Sequence, residues 1–170
     1  KLNKEFKFSV SFSSDYIFKQ LEEIVDSKPR TLNYIPFGIK DTFNTKVLPT
    51  EMGSEIWKGF KAGNNARIVD EIIFRGGLSF CKTSTAEFAV DYIEEGHTLN
   101  PHNIEHITGT SSAGSAVAVA CGALPICLGS QTAGSIIRPA SFCGVFGFKP
   151  SFGAFDRTGV LKTTDTLDTI

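Results

Sequence analysis

The chain has 170 residues, with 41% hydrophobic and 21% charged side chains and 17 Lys+Arg against 18 Asp+Glu, a net charge of -1. That length suits one domain and that composition a packed core, which excludes a globally disordered chain. The charge balance excludes a broadly basic nucleic-acid surface. The longest nearly unbroken apolar run, Ala116 to Leu128, contains Gly122 and Pro125 and is too short for a membrane-spanning helix.

The chain starts at Lys1 rather than Met, with no charged-then-apolar signal pattern behind it, and so reads as trimmed. Phe6, Phe8, Val10 and Phe12 alternate with polar residues, which predicts a strand with one wet face. Ser14 or Asp15 then caps a helix with Ile17, Phe18, Leu21, Ile24 and Val25 on one stripe, ended by Lys28-Pro29. A Gly- and Pro-punctuated region follows from Tyr34 to about Asn64. Ile68, Val69, Ile72 and Ile73 mark a second helix stopped by Gly76-Gly77, and Leu78 to Lys82 reads as a short strand. Residues 91 to 110 read as a long polar loop. Ser112 to Cys121 is a helix of small residues closed by Gly122. Leu124 to Leu128 reads as a buried strand, Gly129 to Gly134 as a tight loop, the stretch from Ser135 as a short helix, and Gly144 to Phe148 as another strand. Strand and helix alternate, which points to α/β with a mixed sheet covered by helices.

Cys81, Cys121, Cys127 and Cys143 lie among apolar or small residues with no C-x-x-C pair; they read as free thiols in a reducing, cytoplasmic setting. His97, His102 and His106 cluster, but Pro101 and Asn103 make the stretch a loop and further ligands are missing, so no metal and no cofactor is expected.

Two loops carry the chemical signal. Gly109-Thr110-Ser111-Ser112-Ala113-Gly114-Ser115 runs straight into a helix. Exposed amides at a helix start attract anions, yet the Lys of a phosphate-binding G-K-[ST] is absent. Gly129-Ser130-Gln131-Thr132-Ala133-Gly134-Ser135 repeats the pattern after a strand. Successive amides in such a turn converge into an oxyanion hole, and a Ser at the helix entry sits where negative charge is favoured. The three histidines are poorly placed to serve it, so another base is needed.

Four stretches in order carry a family resemblance: Pro36-Phe37-Gly38-Ile39-Lys40-Asp41, Lys82-Thr83-Ser84-Thr85-Ala86-Glu87-Phe88, Gly109 to Gly122, and Gly129 to Pro150. Together they resemble the amidase signature family, in particular its malonamidase-like subgroup. The resemblance implies a single amidase signature domain over residues 1–170 that corresponds to the N-terminal portion of longer relatives, with an incomplete sheet and exposed apolar surface that favours self-association. It implies hydrolysis of the C–N bond of a small carboxylic amide through an acyl-serine, with no nucleic-acid or membrane partner. Ser135 matches the nucleophile, Ser111 the bridging serine held by a cis peptide bond, and Lys40 the base. The amides of Thr132, Ala133 and Gly134, with Ser135, match the oxyanion hole. Arg138 matches an arginine that holds a substrate carboxylate in malonamidase-like relatives.

A lysine base needs a lowered pKa, which burial supplies and a neighbouring carboxylate opposes; Asp41 is expected to leave the opposite face of a strand from Lys40. Glu87 is expected to support structure. Thr110, Gln131 and Ala133 stand where the family commonly has Gly, Asp and Gly. Those choices at Gln131 and Ala133 count against the alternative reading, the A-type component of a glutamyl-tRNA amidotransferase. A non-catalytic binding module is the remaining alternative.

Overall fold

The computed structural model describes residues 1–25, 31–90 and 98–170. The expected helix stop at Lys28-Pro29, the first part of the loop expected over 91–110, and His97 lie outside the described residues. Four strands, β1 (Ser9–Phe12), β2 (Pro36–Lys40), β3 (Leu78–Thr83) and β4 (Ile126–Leu128), form one mixed sheet in the order β1-β3-β2-β4. β1 runs antiparallel to β3, while β2 is parallel to both β3 and β4. Five helices accompany it among the described residues: α1 (Leu2–Phe6), α2 (Ser14–Val25), α3 (Arg67–Phe74), α4 (Ala113–Ala120) and α5 (Ile137–Phe142).

The period-two alternation of β2 divides the core. Phe37 and Ile39 project to one side and join Phe43, Ala66, Val69 of α3 and Ile170. Gly38 projects to the other, where Cys127 and Leu124 crowd it, beside a cluster of Phe8, Cys81, Ala116, Val117 and Cys143. α4 packs on that second side with a nearly continuous run of small buried residues. The reason is distance: a Cβ on Gly114 would stand 2.4 Å from Phe8 O, Ser84 N and Ser84 Oγ. Only a glycine lets the start of α4 approach the strand ends this closely.

Several expectations need correction. Phe6 belongs to α1, and the strand begins only at Ser9. On α2, Phe18 is exposed, and Gln20 turns inward instead. Its amide exchanges hydrogen bonds with the Ser79 backbone, 3.0 Å in each direction, so a polar side chain serves as the helix anchor. β2 lies inside the Gly- and Pro-punctuated region; it is an inner strand, and Pro36 and Gly38 mask its extent. The strand expected over Leu124 to Leu128 is shorter, and Ile126 is exposed. No strand forms over Gly144 to Phe148, where Phe146 and Phe148 stand in solvent. These residues, with Ile126, Val145, Val119 and Ile72, line an apolar groove of about 430 Å³ beside β4. The expected exposed apolar surface is therefore present. Among the described residues no helix is long and apolar enough to cross a membrane.

The segment from Phe152 onward returns along the molecule. Arg67 and Leu161 amides bond Thr158 and Thr42 carbonyls, and Gln131 and Thr169 exchange backbone hydrogen bonds of 2.9 and 2.8 Å. Replacing Gly114 with Ala is expected to lower stability by about 1–3 kcal/mol, because two of the three obstructing atoms are backbone and cannot yield. A urea-denaturation midpoint unchanged from that of the parent protein would contradict this close approach.

Candidate active site

The carboxyl ends of parallel strands are where open α/β sheets gather function, and two such ends meet here. Lys40 is the last residue of β2, and Gly129-Ser130 leaves the end of β4. Lys40 follows the parity of Gly38, so it points toward the α4 side and is fully buried. Its Nζ donates to Ser111 Oγ at 2.7 Å, to Ser130 Oγ at 3.1 Å and to the Ser130 carbonyl at 3.2 Å. Burial draws the Lys40 pKa from its ordinary 10.5 down to about 7, and the Asp168 carboxylate opposes that fall. A buried amine poised near neutrality is suited to proton transfer.

Asp41 has the opposite parity and leaves on the other face, as expected. There its Oδ1 lies 2.9 Å from Lys82 Nζ, with both side chains buried. The contact is one of charge without hydrogen-bond alignment. Lys82 donates instead to the carbonyls of Phe43 and Pro49 and to Thr50 Oγ1 at 2.8, 3.1 and 2.9 Å, while Asp41 Oδ2 accepts from Glu51 N at 3.1 Å. Burial pushes the Asp41 carboxyl up and the Lys82 amine down, and each partner's charge resists that drift. The carboxylate next in sequence to Lys40 thus has its own counterion.

The Thr110–Ser111 peptide bond is cis. Ser111 is fully buried, and its carbonyl accepts from Ala86 N at 3.3 Å. Ser112 follows, with its amide donating to the Ser135 carbonyl at 3.1 Å, which ties the two serine turns together. Ser135 itself is 9% exposed. The two hydroxyls that Lys40 touches are Ser111 and Ser130; among the described residues Ser135 Oγ makes no hydrogen bond. The sequence does not single out Ser130. It reads as loop filler, and only the return of β4 beside β2 brings its hydroxyl to the amine.

The turn before α5 is braced by Gln131. Its Oε1 accepts from Ile136 N and Ile137 N at 2.8 and 3.0 Å, and its Nε2 donates to the Ala133 carbonyl at 2.8 Å. Among the described residues the amides of Thr132, Ala133, Gly134 and Ser135 donate to no protein acceptor, which leaves a row of donors at the mouth. Arg138 is half-buried one helical turn on. Its amide donates to the Gly134 carbonyl at 2.7 Å, and its Nη1 donates to Thr110 Oγ1 at 3.2 Å. The residue therefore links the two turns, through its backbone on one side and its guanidinium on the other. Glu87 accepts from Ser54 Oγ at 2.7 Å, the supporting role expected of it. His102 Nε2 lies 2.8 Å from the Cys143 carbonyl. Among the described residues no group of three or more His, Cys, Asp or Glu forms a metal cluster.

A family model described as Amidase matches residues 1–170. The chain belongs to the amidase family. It is 38% identical over 162 residues to the A-type component of the glutamyl-tRNA(Gln) amidotransferase of Methanosarcina acetivorans, covering 92% of this chain and 34% of that relative. Its fold is similar to the peptide amidase of Stenotrophomonas maltophilia, with a TM-score of 0.87 and 29% identity over 95% of this chain and 36% of that one. It is similar as well to the corresponding glutamyl-tRNA(Gln) amidotransferase component of Thermotoga maritima, with a TM-score of 0.84 and 30% identity over 99% of this chain and 36% of that one. The chain spans about a third of the length of the curated relatives it matches.

Burying Lys40 has a stability consequence with a definite sign. Between about pH 7 and pH 10.5 the unfolded chain holds a proton that the folded chain does not, so stability rises with pH across that window and the full penalty applies below it. Lys40→Met is therefore expected to stabilise the fold by on the order of a few kcal/mol at pH 6, less whatever the three lost hydrogen bonds contributed. The gain should shrink toward pH 10. Urea midpoints of both proteins at pH 6 and pH 9 test this; a gain that grows with pH would overturn it.

Proposed function

We propose that this chain carries the catalytic centre of an enzyme that cleaves the C–N bond of a small carboxylic amide through an acyl-serine. The observation that carries the reading is the contact between the fully buried Lys40 amine and Ser111 Oγ, 2.7 Å, beside a turn whose amides have no acceptor among the described residues. In this reading neutral Lys40 takes the Ser111 proton as Ser111 takes that of Ser135. Ser135 Oγ attacks the amide carbonyl, and the oxygen that becomes negative is met by the amides of Thr132, Ala133, Gly134 and Ser135. Loss of one such donor typically costs about 2.7–4 kcal/mol of barrier. The relay then returns a proton to the leaving nitrogen, the C–N bond breaks, and water attacks the acyl-Ser135 ester to release the acid. No cofactor takes part in this scheme.

Arg138 supplies the substrate preference in the same reading. A guanidinium held at the mouth by Thr110 binds a carboxylate in bidentate fashion, so the favoured amides carry an acidic group. A second reading is ammonia release from glutamine for a partner protein, favoured by the relatives named as glutamyl-tRNA(Gln) amidotransferase components. Gln131 and Ala133 in the nucleophile turn weigh toward the first.

A fluorophosphonate probe tests the centre without knowledge of the substrate. Label is expected on Ser135, with a rate that rises as pH passes about 7, and a loss of at least 100-fold in Lys40→Ala. Labelling of Ser135 that is indifferent to Lys40 would overturn the relay. For the substrate class, Arg138→Ala is expected to reduce kcat/KM for a carboxylate-bearing amide at least tenfold more than for its neutral analogue; equal losses would remove Arg138 from that role. Hydrolysis that requires both a charged tRNA and a partner protein would favour the second reading.

A further inference from the structure

Asp168 lies far along the chain from Lys40, Ser111 and Ser135, yet it is buried and makes four hydrogen bonds. Its Oδ1 accepts from Thr132 Oγ1 at 2.5 Å and from Thr164 Oγ1 at 3.4 Å. Its Oδ2 accepts from the amides of Thr163 and Thr164 at 2.6 and 2.9 Å. Burial by itself would raise its pKa, but the hydrogen bonds from Thr132, Thr164 and Thr163 together outweigh it and hold the carboxyl below the usual range. The side chain is thus an anion at neutral pH. The next residue, Thr169, exchanges backbone hydrogen bonds with Gln131, so the returning segment is pinned to the turn at consecutive positions on each side: Gln131 with Thr169, and Thr132 with Asp168.

We infer that Asp168 is a positioning residue of the amide-cleaving centre, which fixes the oxyanion turn through the Thr132 hydroxyl. The inference rests on the reading of Ser135 and Lys40 under Proposed function and adds a residue to it. Two physical effects are joined in one carboxylate. First, Thr132 opens the row of amides that would receive the oxyanion, and a donor row is effective only when it is held in place before the charge arrives. Second, a fully buried amine loses basicity, and a general base works best near the operating pH; the Asp168 carboxylate returns part of what burial removes.

Other charges near these groups are already engaged. Asp41, beside Lys40 in sequence, faces Lys82 on the opposite side of the sheet. Lys162 pairs with Asp165 at 3.7 Å. Arg157 donates to the Thr164 and Asp165 carbonyls at 3.5 and 2.9 Å. Ser111 and Ser130, which hold the Lys40 amine, carry no charge. Among the described residues Asp168 is the carboxylate whose charge acts on Lys40.

The test is the rate of fluorophosphonate labelling of Ser135 across pH 5 to 10 in the full protein, for the parent, Asp168→Asn and Thr132→Val. Asparagine can accept from Thr163 and Thr164 with its oxygen and donate to Thr132 with its nitrogen, so the neutral variant keeps the hydrogen-bonding shape. Asp168→Asn is expected to label at least tenfold more slowly on its high-pH plateau, with its midpoint shifted to lower pH by half a unit or more. Thr132→Val is expected to lower the plateau at least fivefold and leave the midpoint in place. A purely structural role for Asp168 would lower the plateau without moving the midpoint, and that result overturns the inference, as does a plateau equal to the parent's in either variant. Should Asp168→Asn fail to fold, the plateau of Thr132→Val decides alone. Absence of Ser135 labelling in the parent protein would instead remove the functional reading itself.

Discussion

A lysine amine shut away from water and held by three oxygen atoms is the constraint around which this chain is arranged. An inner strand places it there, because a strand covered on both faces can end in a side chain with no route to solvent. β2 meets that need, with a sheet neighbour on each side and helices α3 and α4 belonging to opposite core clusters. The alternation of strand side chains then sends Lys40 and Asp41 to different faces. Without that separation the neighbouring carboxylate would hold the amine protonated. Lys82 completes the arrangement by giving Asp41 a cation of its own.

The two serine turns depend on backbone proximity rather than on side-chain bulk. α4 is built of Ala, Gly, Ser and Val so that its first turn reaches the ends of β3 and β1, and the cis-linked Ser111 precedes that helix directly. The second turn lies against the first through the Ser112–Ser135 backbone bond. It is secured from the far side by residues near the end of the chain. Membership of the amidase family and the close fit to solved relatives apply to this assembly as a whole. The chain corresponds to about a third of those longer relatives, and the apolar groove beside β4 lies on the open side of the sheet.

Much of this is legible in the residues. The helices α2 and α3, the strand after Gly76-Gly77, the small-residue helix and the tight turn before Ser135 all follow from periodicity and punctuation. β2 does not follow, because a strand buried on both sides lacks polar alternation and Pro36 and Gly38 imitate a turn. The Val-Phe-Gly-Phe run after Gly144 fails in the opposite sense: it looks like a strand, but among the described residues no strand pairs with it. In the site, Lys40, Ser111, Ser135 and Arg138 stand out through motif order. Ser130 and Asp168 do not, since their contacts exist only after β4 settles beside β2 and the last segment folds back onto the turn. Tertiary closure creates those contacts, and no local pattern announces them.

Gln131 stands where the family commonly has an acid, and its three hydrogen bonds show what the exchange accomplishes. Capping two amides at the entrance to α5 needs only an oxygen, which the amide side chain provides as well as a carboxylate does. Its nitrogen adds a tether to the Ala133 carbonyl that a carboxylate has no proton to make. At this position the brace on the turn is consequently a dipole instead of an ion. An anion lodged in it would meet no like charge from the side chain that braces it, and the brace itself would hold unchanged through any swing in acidity that a living cell experiences.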